Sequence, residues 1–253
     1  LLAGKRILVT GGATGIGAAT CRHLLENDAQ VAAVGLDGAA GRALASELGD
    51  QSFLFHEADL TRDADVRAAV AAATDAFGGL DGVVNAAGIY PTGKRLEDLS
   101  DAEWDRTLAV NLTAVFRVCR ATLPLLRAAG GGSVVNIASV HAEATVPGVP
   151  AYAATKGAIA ALSRQMALDY ACDRIRVNSV IVGSVATRMT LDGLDEAGGA
   201  EAVGLSFSQD KVGRIAEPSE IAAVIAFLLS DASSFVTGSA VRADGGLLAR
   251  LLP

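Results

Sequence analysis

Aromatic residues make up only 4 % of the 253-residue chain, and lysine occurs four times against seventeen arginines. A core so poor in rings must be filled by Ala, Val, Leu and Ile, and a hydrophobic content of 51 % supplies enough of them. Cysteine is confined to Cys21, Cys119 and Cys172, an odd, widely spaced set with no CxxC. Neither a disulfide framework nor a zinc site is expected from such spacing, and no metal site is foreseen. Three reduced thiols in a cytoplasmic protein is the reading they support. An excess of positive charge is also missing. The formal net charge of −7 argues against nucleic acid or an anionic membrane as the main partner, because both need a basic face. No uninterrupted apolar run approaches the ~18–20 residues of a membrane helix. The longest, Ile221 to Leu229, suits a buried helix. No secretory leader is expected, since a strand-like run at Arg6–Thr10 follows the first residue, Leu rather than Met, almost at once. A small-molecule substrate is the partner these exclusions leave.

What the chain does contain is alternation. Apolar strand-like runs at Ile7–Val9, Val31–Val34, Ser52–Phe55, Gly82–Val84, Ser133–Ile137, Arg176–Ile181 and Val241–Ala243 are separated by helical patterns. These cover Ile16–Glu26, Ala39–Leu48, Ala64–Phe77, Asp101–Ala128, Ala151–Tyr170 and Ser219–Leu229. Short strands separated by longer helices imply βαβ units and a parallel sheet. Such a series predicts an α/β fold: a doubly wound, Rossmann-type sheet of about seven strands with helices on both faces. No linker rich in Pro, Gly and Ser interrupts it, so residues 1–253 read as one dinucleotide-binding and catalytic domain. The stretch from about Arg188 to Val212 has no strand pattern and carries four glycines. A loop this long in an economical chain suggests a substrate lid, with a plain surface helix pair as the alternative.

Three features carry chemistry. After the first strand comes Thr10-Gly11-Gly12-Ala13-Thr14-Gly15-Ile16-Gly17. A glycine-rich turn between strand and helix lets backbone N–H groups and the helix N-terminus face a pyrophosphate. Asp37 lies past the second strand, twenty residues after Gly17. It is placed to bind the hydroxyls of an adenosine ribose, or else is a surface turn aspartate. Tyr152 and Lys156 stand four apart on one helix face. A free tyrosine is a poor base at neutral pH, and a neighbouring ammonium group favours its ionised form. The pair suits proton transfer at an alcohol or carbonyl.

In order along the chain stand Thr10 to Gly17, Asp59-Leu60, Asn85-Ala86-Ala87-Gly88, Asn111, Ser139, Tyr152-Ala-Ala-Thr-Lys156, Gly183 with Thr187, and Asp244-Gly245-Gly246. In this series the chain resembles the short-chain dehydrogenase/reductase family, in its single-domain form of about 250 residues. The resemblance implies an oxidoreductase that moves hydride between a nicotinamide cofactor and a secondary alcohol or ketone. It implies that Gly11, Thr14, Gly15, Ile16 and Gly17 line the cofactor phosphates, and that Asp59 and Leu60 contact the adenine. Asn85, Ala86 and Gly88 would shape the wall near the ribose and nicotinamide. Val185 and Thr187 would hold the carboxamide. Tyr152 would be the general acid or base, and Lys156 would bind the nicotinamide ribose and lower the tyrosine pKa. Ser139 would hold the substrate oxygen, and Asn111 a water that extends the proton relay.

Three departures from the family pattern stand out. Ala86 replaces the commoner second Asn, and Val182 stands where Pro usually precedes Gly183. Gly35 occupies the position where NAD-preferring members carry Asp, and neither Leu36 nor Thr14 is the basic residue typical of NADP-preferring ones. NAD is therefore favoured, with NADP kept open. Beside the nicotinamide the substrate would meet Ser139, His141, Tyr90, Tyr152, Val146 and the loop from Arg188. His141 is placed to donate to a substrate hydroxyl or carboxylate, or is a partly exposed loop histidine. Arg188, Asp192, Asp195 and Glu196 suggest a polar substrate such as a sugar, polyol or hydroxy acid. Dehydration or epimerisation on the same scaffold, and a non-catalytic nucleotide-binding sensor or scaffold, are the competing functions. The helical stretches Asp101–Ala128 and Ala151–Tyr170 would pair between subunits to give a homodimer or homotetramer. The apolar Gly246–Pro253 would pack at another interface.

Overall fold

All seven strands of the computed structural model run parallel in one sheet. Residues 1–49, 51–196 and 198–250 are described. The strands are β1 (Arg6–Thr10), β2 (Gln30–Gly35), β3 (Phe53–Glu57), β4 (Gly82–Asn85), β5 (Gly132–Ile137), β6 (Ile175–Val182) and β7 (Ala240–Ala243). Their order is β3-β2-β1-β4-β5-β6-β7, so the winding reverses between β1 and β4. At that switch point the loops leaving the two strands diverge and open a crevice at their C-terminal ends.

Period-two alternation along the strands divides the core. Leu8, Ala32, Val34, Val83, Val134 and Ile181 face one side, which α3 (Asp63–Phe77), α5 (Ala114–Ala128) and α6 (Pro150–Asp169) cover. Ile7, Val9, Val31, Ala33, Val84, Val135 and Val180 face the other, beneath α1 (Gly15–Glu26), α2 (Gly38–Leu48) and α8 (Pro218–Leu229). Both faces are buried, which is why the strands read as near-continuous apolar runs.

Two regions differ from the sequence expectation. The helix expected over Asp101–Ala128 is α4 (Asp101–Leu108) running into α5 through a π-helical turn at Ala109–Thr113. Taken as one 28-residue unit it is, among the described residues, the one helix long and apolar enough to cross a membrane by length and composition. Counting uninterrupted apolar runs missed it, because Arg117, Arg120 and Arg127 break the run without lowering the mean enough. Val115, Val118, Leu123 and Leu126 are nevertheless buried in the core on the sheet. The stretch expected as an irregular lid contains α7 (Arg188–Glu196) and a 3-10 turn at Glu201–Val203.

Candidate active site

The glycine-rich turn is built by close approach. A Cβ on Gly17 would lie 2.1 Å from the carbonyl oxygen of Gly11, and one on Gly12 would lie 2.7 Å from Ala33 Cβ. Gly11 has φ +66, a left-handed conformation that other residues enter at a cost, and it passes 2.8 Å from Ala87 N in the same sense. Thr10 Oγ1 accepts from the backbone N–H of Ala86 at 3.2 Å, tying the β1 turn to the β4 loop across the switch point. Above this floor α1 begins with no side-chain cap on Thr14 and no acidic residue in its first turn. Among the described residues no carboxylate is committed to its leading N–H groups. Open donors over a side-chain-free floor fit the pyrophosphate of a dinucleotide.

At the adenosine end the expected residues cluster but are engaged. Asp37 is exposed and caps α2, its Oδ1 accepting from Ala40 N at 3.0 Å. Asp59 accepts from the N–H of Thr61 at 2.9 Å and from its hydroxyl at 2.7 Å, and these bonds hold its carboxyl below the usual range. Leu60 is partly buried against the core. Glu57, at the end of β3, pairs with Arg42 at 3.0 Å. Thr187 and Val185 approach from the other side: a Cβ on Gly15 would lie 3.1 Å from Thr187 Cγ2, while Val185 is buried and bridges Ala216.

The reacting groups converge beside β4 and β5. Ser139 follows β5 and is buried; its Oγ accepts from His141 N at 3.3 Å, so it also caps the 3-10 turn at Val140–Ala142. Tyr152 is on α6. Burial pushes its hydroxyl up to about 12, against the opposing pull of Ser139. Lys156, one turn on, is 5 % exposed and donates to Ile137 O at 2.8 Å. Burial brings its ammonium down to about 8. The lowered tyrosine expected from the sequence is therefore not what the chain alone produces. Lys156 Nζ lies 5.5 Å from the Tyr152 ring centroid with a carbonyl as its partner, and burial dominates the tyrosine.

Asn111 sits in the π turn and is fully buried. Its amide accepts from Ile89 N at 2.8 Å and donates to Ile89 O at 3.0 Å and Thr155 Oγ1 at 3.3 Å. The side chain thus fastens the β4 loop to α6 and is spent on that task. Gly88 packs beside this joint, where a Cβ would be 3.4 Å from Asn111 Oδ1 and 3.9 Å from Lys156 Nζ. Below it, Asn85 donates to Asn136 Oδ1 at 2.8 Å, and Asn136 donates to Ser163 Oγ at 2.9 Å. Sequence reasoning missed Asn136 and Ser163, and gave no separate role to Thr10 or Thr155. Two asparagines ending adjacent apolar strands were a signal for the Asn85–Asn136 pair, which the sheet register sets side by side.

The substrate side is aromatic. Tyr90, His141 and Tyr152 form a triangle with ring centroids 4.6, 5.5 and 5.6 Å apart. Of the charges that suggested a polar substrate, the Arg188 side chain is 92 % exposed and pairs with Asp192, itself 65 % exposed.

Comparison with known proteins agrees with this geometry. The family model described as enoyl-(acyl carrier protein) reductase matches residues 11–248. The chain is 39 % identical over 249 residues to 2,5-dichloro-2,5-cyclohexadiene-1,4-diol dehydrogenase of Sphingobium indicum, covering 98 % of each. It is 40 % identical over 250 residues to 3-alpha-(or 20-beta)-hydroxysteroid dehydrogenase of Mycobacterium tuberculosis, covering 99 % of this chain and 92 % of that one. The structure of 3-ketoacyl-(acyl-carrier-protein) reductase from Brucella melitensis complexed with NADH superposes with a TM-score of 0.88 at 31 % identity, over 98 % of this chain and 99 % of that one. With its glycine turn, Asn111, Ser139, Tyr152 and Lys156 all in place, the chain belongs to the short-chain dehydrogenase/reductase family.

Proposed function

We propose that this protein, an NAD(P)-dependent oxidoreductase acting on CH–OH groups, oxidises secondary alcohols on apolar rings and uses NAD. The convergence of Ser139, Tyr152 and Lys156 under an aromatic wall, beside the uncapped start of α1, carries the reading. Among the described residues thirteen large hydrophobic side chains stand exposed, and five belong to the segment 189–212: Met189, Leu191, Val203, Phe207 and Val212. A lid with that much exposed apolar surface suits an apolar substrate body, not a sugar. Both named relatives carry names of hydroxylated substrates built on carbon rings, a cyclohexadienediol and a hydroxysteroid.

In the proposed reaction Ser139 Oγ holds the substrate oxygen and Tyr152 Oη takes its proton. NAD, when bound, would supply the hydride acceptor. Lys156 has two N–H donors beyond the one on Ile137 O, enough to reach a ribose and to favour the phenolate. Because the Asn111 amide is committed to Ile89 and Thr155, a relay water falls to its main-chain carbonyl in the π turn. For the cofactor, a 2′-phosphate would meet Asp37 and Glu57, and the nearby Arg42 is already paired. Comparing kcat/KM with NAD and NADP in wild type and Asp37→Ala reads this directly: a ratio that favours NADP in wild type overturns it.

Residues 1–253 act as one unit with 188–212 as the lid. The cytoplasm suits its free thiols. A dimer or tetramer is supported by the groove between α5 and α6, about 310 Å³ and lined by Phe116, Leu123, Pro124, Leu162 and Met166, and by Phe235, which is fully exposed. In the C-terminal segment Gly246–Pro253, residues 251–253 lie outside the described residues. Sedimentation velocity measures the assembly. The reaction is tested at 340 nm with NAD and alicyclic alcohols against polyols and hydroxy acids; turnover confined to the latter two sinks the ring-alcohol reading.

A further inference from the structure

His141 and Tyr90 take no part in the proton path, yet they enclose it. The chain has three histidines and three tyrosines, and one histidine and two tyrosines meet at this point. The His141 ring is held by Nδ1, 2.9 Å from Thr145 Oγ1. The Thr145 hydroxyl donates to Val146 O at 3.4 Å, so the hydrogen-bond network assigns the ring proton to Nδ1. Burial lowers the histidine pKa and keeps the ring neutral. A neutral ring with its proton on Nδ1 leaves Nε2 as a bare acceptor. Among the described residues, neither Nε2 nor the Tyr90 hydroxyl has a hydrogen-bond partner. Neither is sealed from solvent, for the sealed, unpartnered side-chain atoms are on Asn85, Arg117 and Ser179.

Resting on the ring-alcohol reading above, we infer that His141 and Tyr90 form a second polar anchor for a hydroxyl elsewhere on the substrate ring, so that the substrate class is a cyclic diol. A hydroxyl satisfies both groups, giving its proton to Nε2 and accepting from Tyr90 Oη. A carboxylate does not: it has no proton for Nε2. The cations at hand are also unavailable to it, since the remaining donors of Lys156 are assigned to the ribose and the phenolate in the proposed reaction and Arg188 stands in solvent. A ring with one hydroxyl leaves Nε2 desolvated and unpaired, which penalises it. The two anchors are rigidly spaced. The backbone N–H of His141 donates to Ser139 Oγ at 3.3 Å, so one short turn carries both the group on the reacting oxygen and the group on the second one.

The test is selectivity. With NAD, kcat/KM is measured for cyclohexanol and for cyclohexane-1,2- and 1,4-diols, in wild type, His141→Leu, His141→Gln and Tyr90→Phe. Wild type is expected to prefer one diol over cyclohexanol by about tenfold, the worth of one hydrogen bond in such a site. His141→Leu should lower that ratio about tenfold, and His141→Gln, which restores an acceptor, should recover part of it. Tyr90→Phe removes a single oxygen without altering the packing and should lower the ratio by several-fold. Diol and cyclohexanol rates that fall together in every variant overturn the inference, as does a wild type that oxidises cyclohexanol with no preference for a diol. A wild type that binds NAD but oxidises no ring alcohol overturns the underlying ring-alcohol reading, and this inference with it.

Discussion

Replacing Lys156 by Met separates the cost of burying a catalytic cation from everything else the residue does. Burial brings the folded ammonium down from 10.5 to about 8. Below pH 8 the lysine is protonated in both folded and unfolded chains, and the folded state bears the full penalty, about 3 kcal/mol by the usual conversion of pKa shift to free energy. Between pH 8 and 10.5 the unfolded chain binds more proton than the folded one, so this group makes stability rise with pH. Above 10.5 both are neutral and the penalty is gone. Lys156→Met abolishes that titration. It also strips Ile137 O of its donor, a cost of about 1–3 kcal/mol that does not depend on pH. The absolute change in stability at pH 7 is therefore a poor readout, because two terms of similar size oppose each other. The pH dependence of the difference is a clean one. Urea unfolding followed by circular dichroism at pH 7, 8, 9 and 10 should show wild type gaining about 2 kcal/mol on the variant across the series. Tyr152 does not confuse the comparison, because its folded hydroxyl titrates near 12 and is present in both proteins. Parallel curves for the two proteins would mean that Lys156 is not desolvated as its surroundings imply.

Tyr152→Phe should lower kcat/KM for alcohol oxidation by roughly 10²–10⁴-fold, the usual worth of a general base, while NAD affinity by calorimetry moves only a few-fold; turnover that survives unchanged removes the proposed base. Because burial holds Tyr152 protonated, alcohol oxidation should speed up as pH rises while ketone reduction stays level across pH 6–9; initial rates in the two directions decide it, and oxidation favoured by acid refutes it. Gly17→Ala places a Cβ 2.1 Å from Gly11 O, so the turn must open and NAD binding should be lost even where circular dichroism shows a folded chain. A folded variant with the wild-type Kd would show that the dinucleotide is not bound over this turn.

The sequence made the sheet legible because both of its faces are buried. Strands such as Ile7–Val9 and Val31–Val34 had no polar alternation to confuse them with exposed ones, and each was followed by a helix of ordinary length. The glycine turn was legible because Gly11, Gly12, Gly15 and Gly17 stand together between a strand-like run and a helical pattern. Asn111 was found through its place in the ordered series, but its work was not. A π turn depends on how one helix turn is accommodated between a loop and a neighbouring helix, and the residues Ala109–Thr113 show no local mark of it. Asp37 carried two readings on the page, and the structure adds a third, an N-cap on α2, which rests on three-residue spacing that had been visible at Asp37 and Ala40.

The tyrosine–lysine pair shows where sequence logic stops. Spacing of four on a helix puts the two side chains on one face, and from there a cation beside a phenol argues for a lowered tyrosine. Burial reverses both signs, pushing the tyrosine up to about 12 and the lysine down to about 8. The distance between the two pKa values is thus wider or narrower according to what else enters the site, and the chain on its own stores both protons in their less reactive places: on Tyr152 Oη, which must lose one to act as a base, and on a lysine tied to Ile137 O. A phenol of that pKa is a poor base at neutral pH, so the residues that set the oxygen of the substrate against it matter more than its intrinsic acidity. Ser139 pulls the tyrosine hydroxyl down against the effect of burial. Ser139→Ala should therefore displace the pH profile of oxidation toward alkali as well as lower its height, whereas a serine that only positioned substrate would lower the height alone. The pH at half-maximal kcat, measured in both proteins, separates the two.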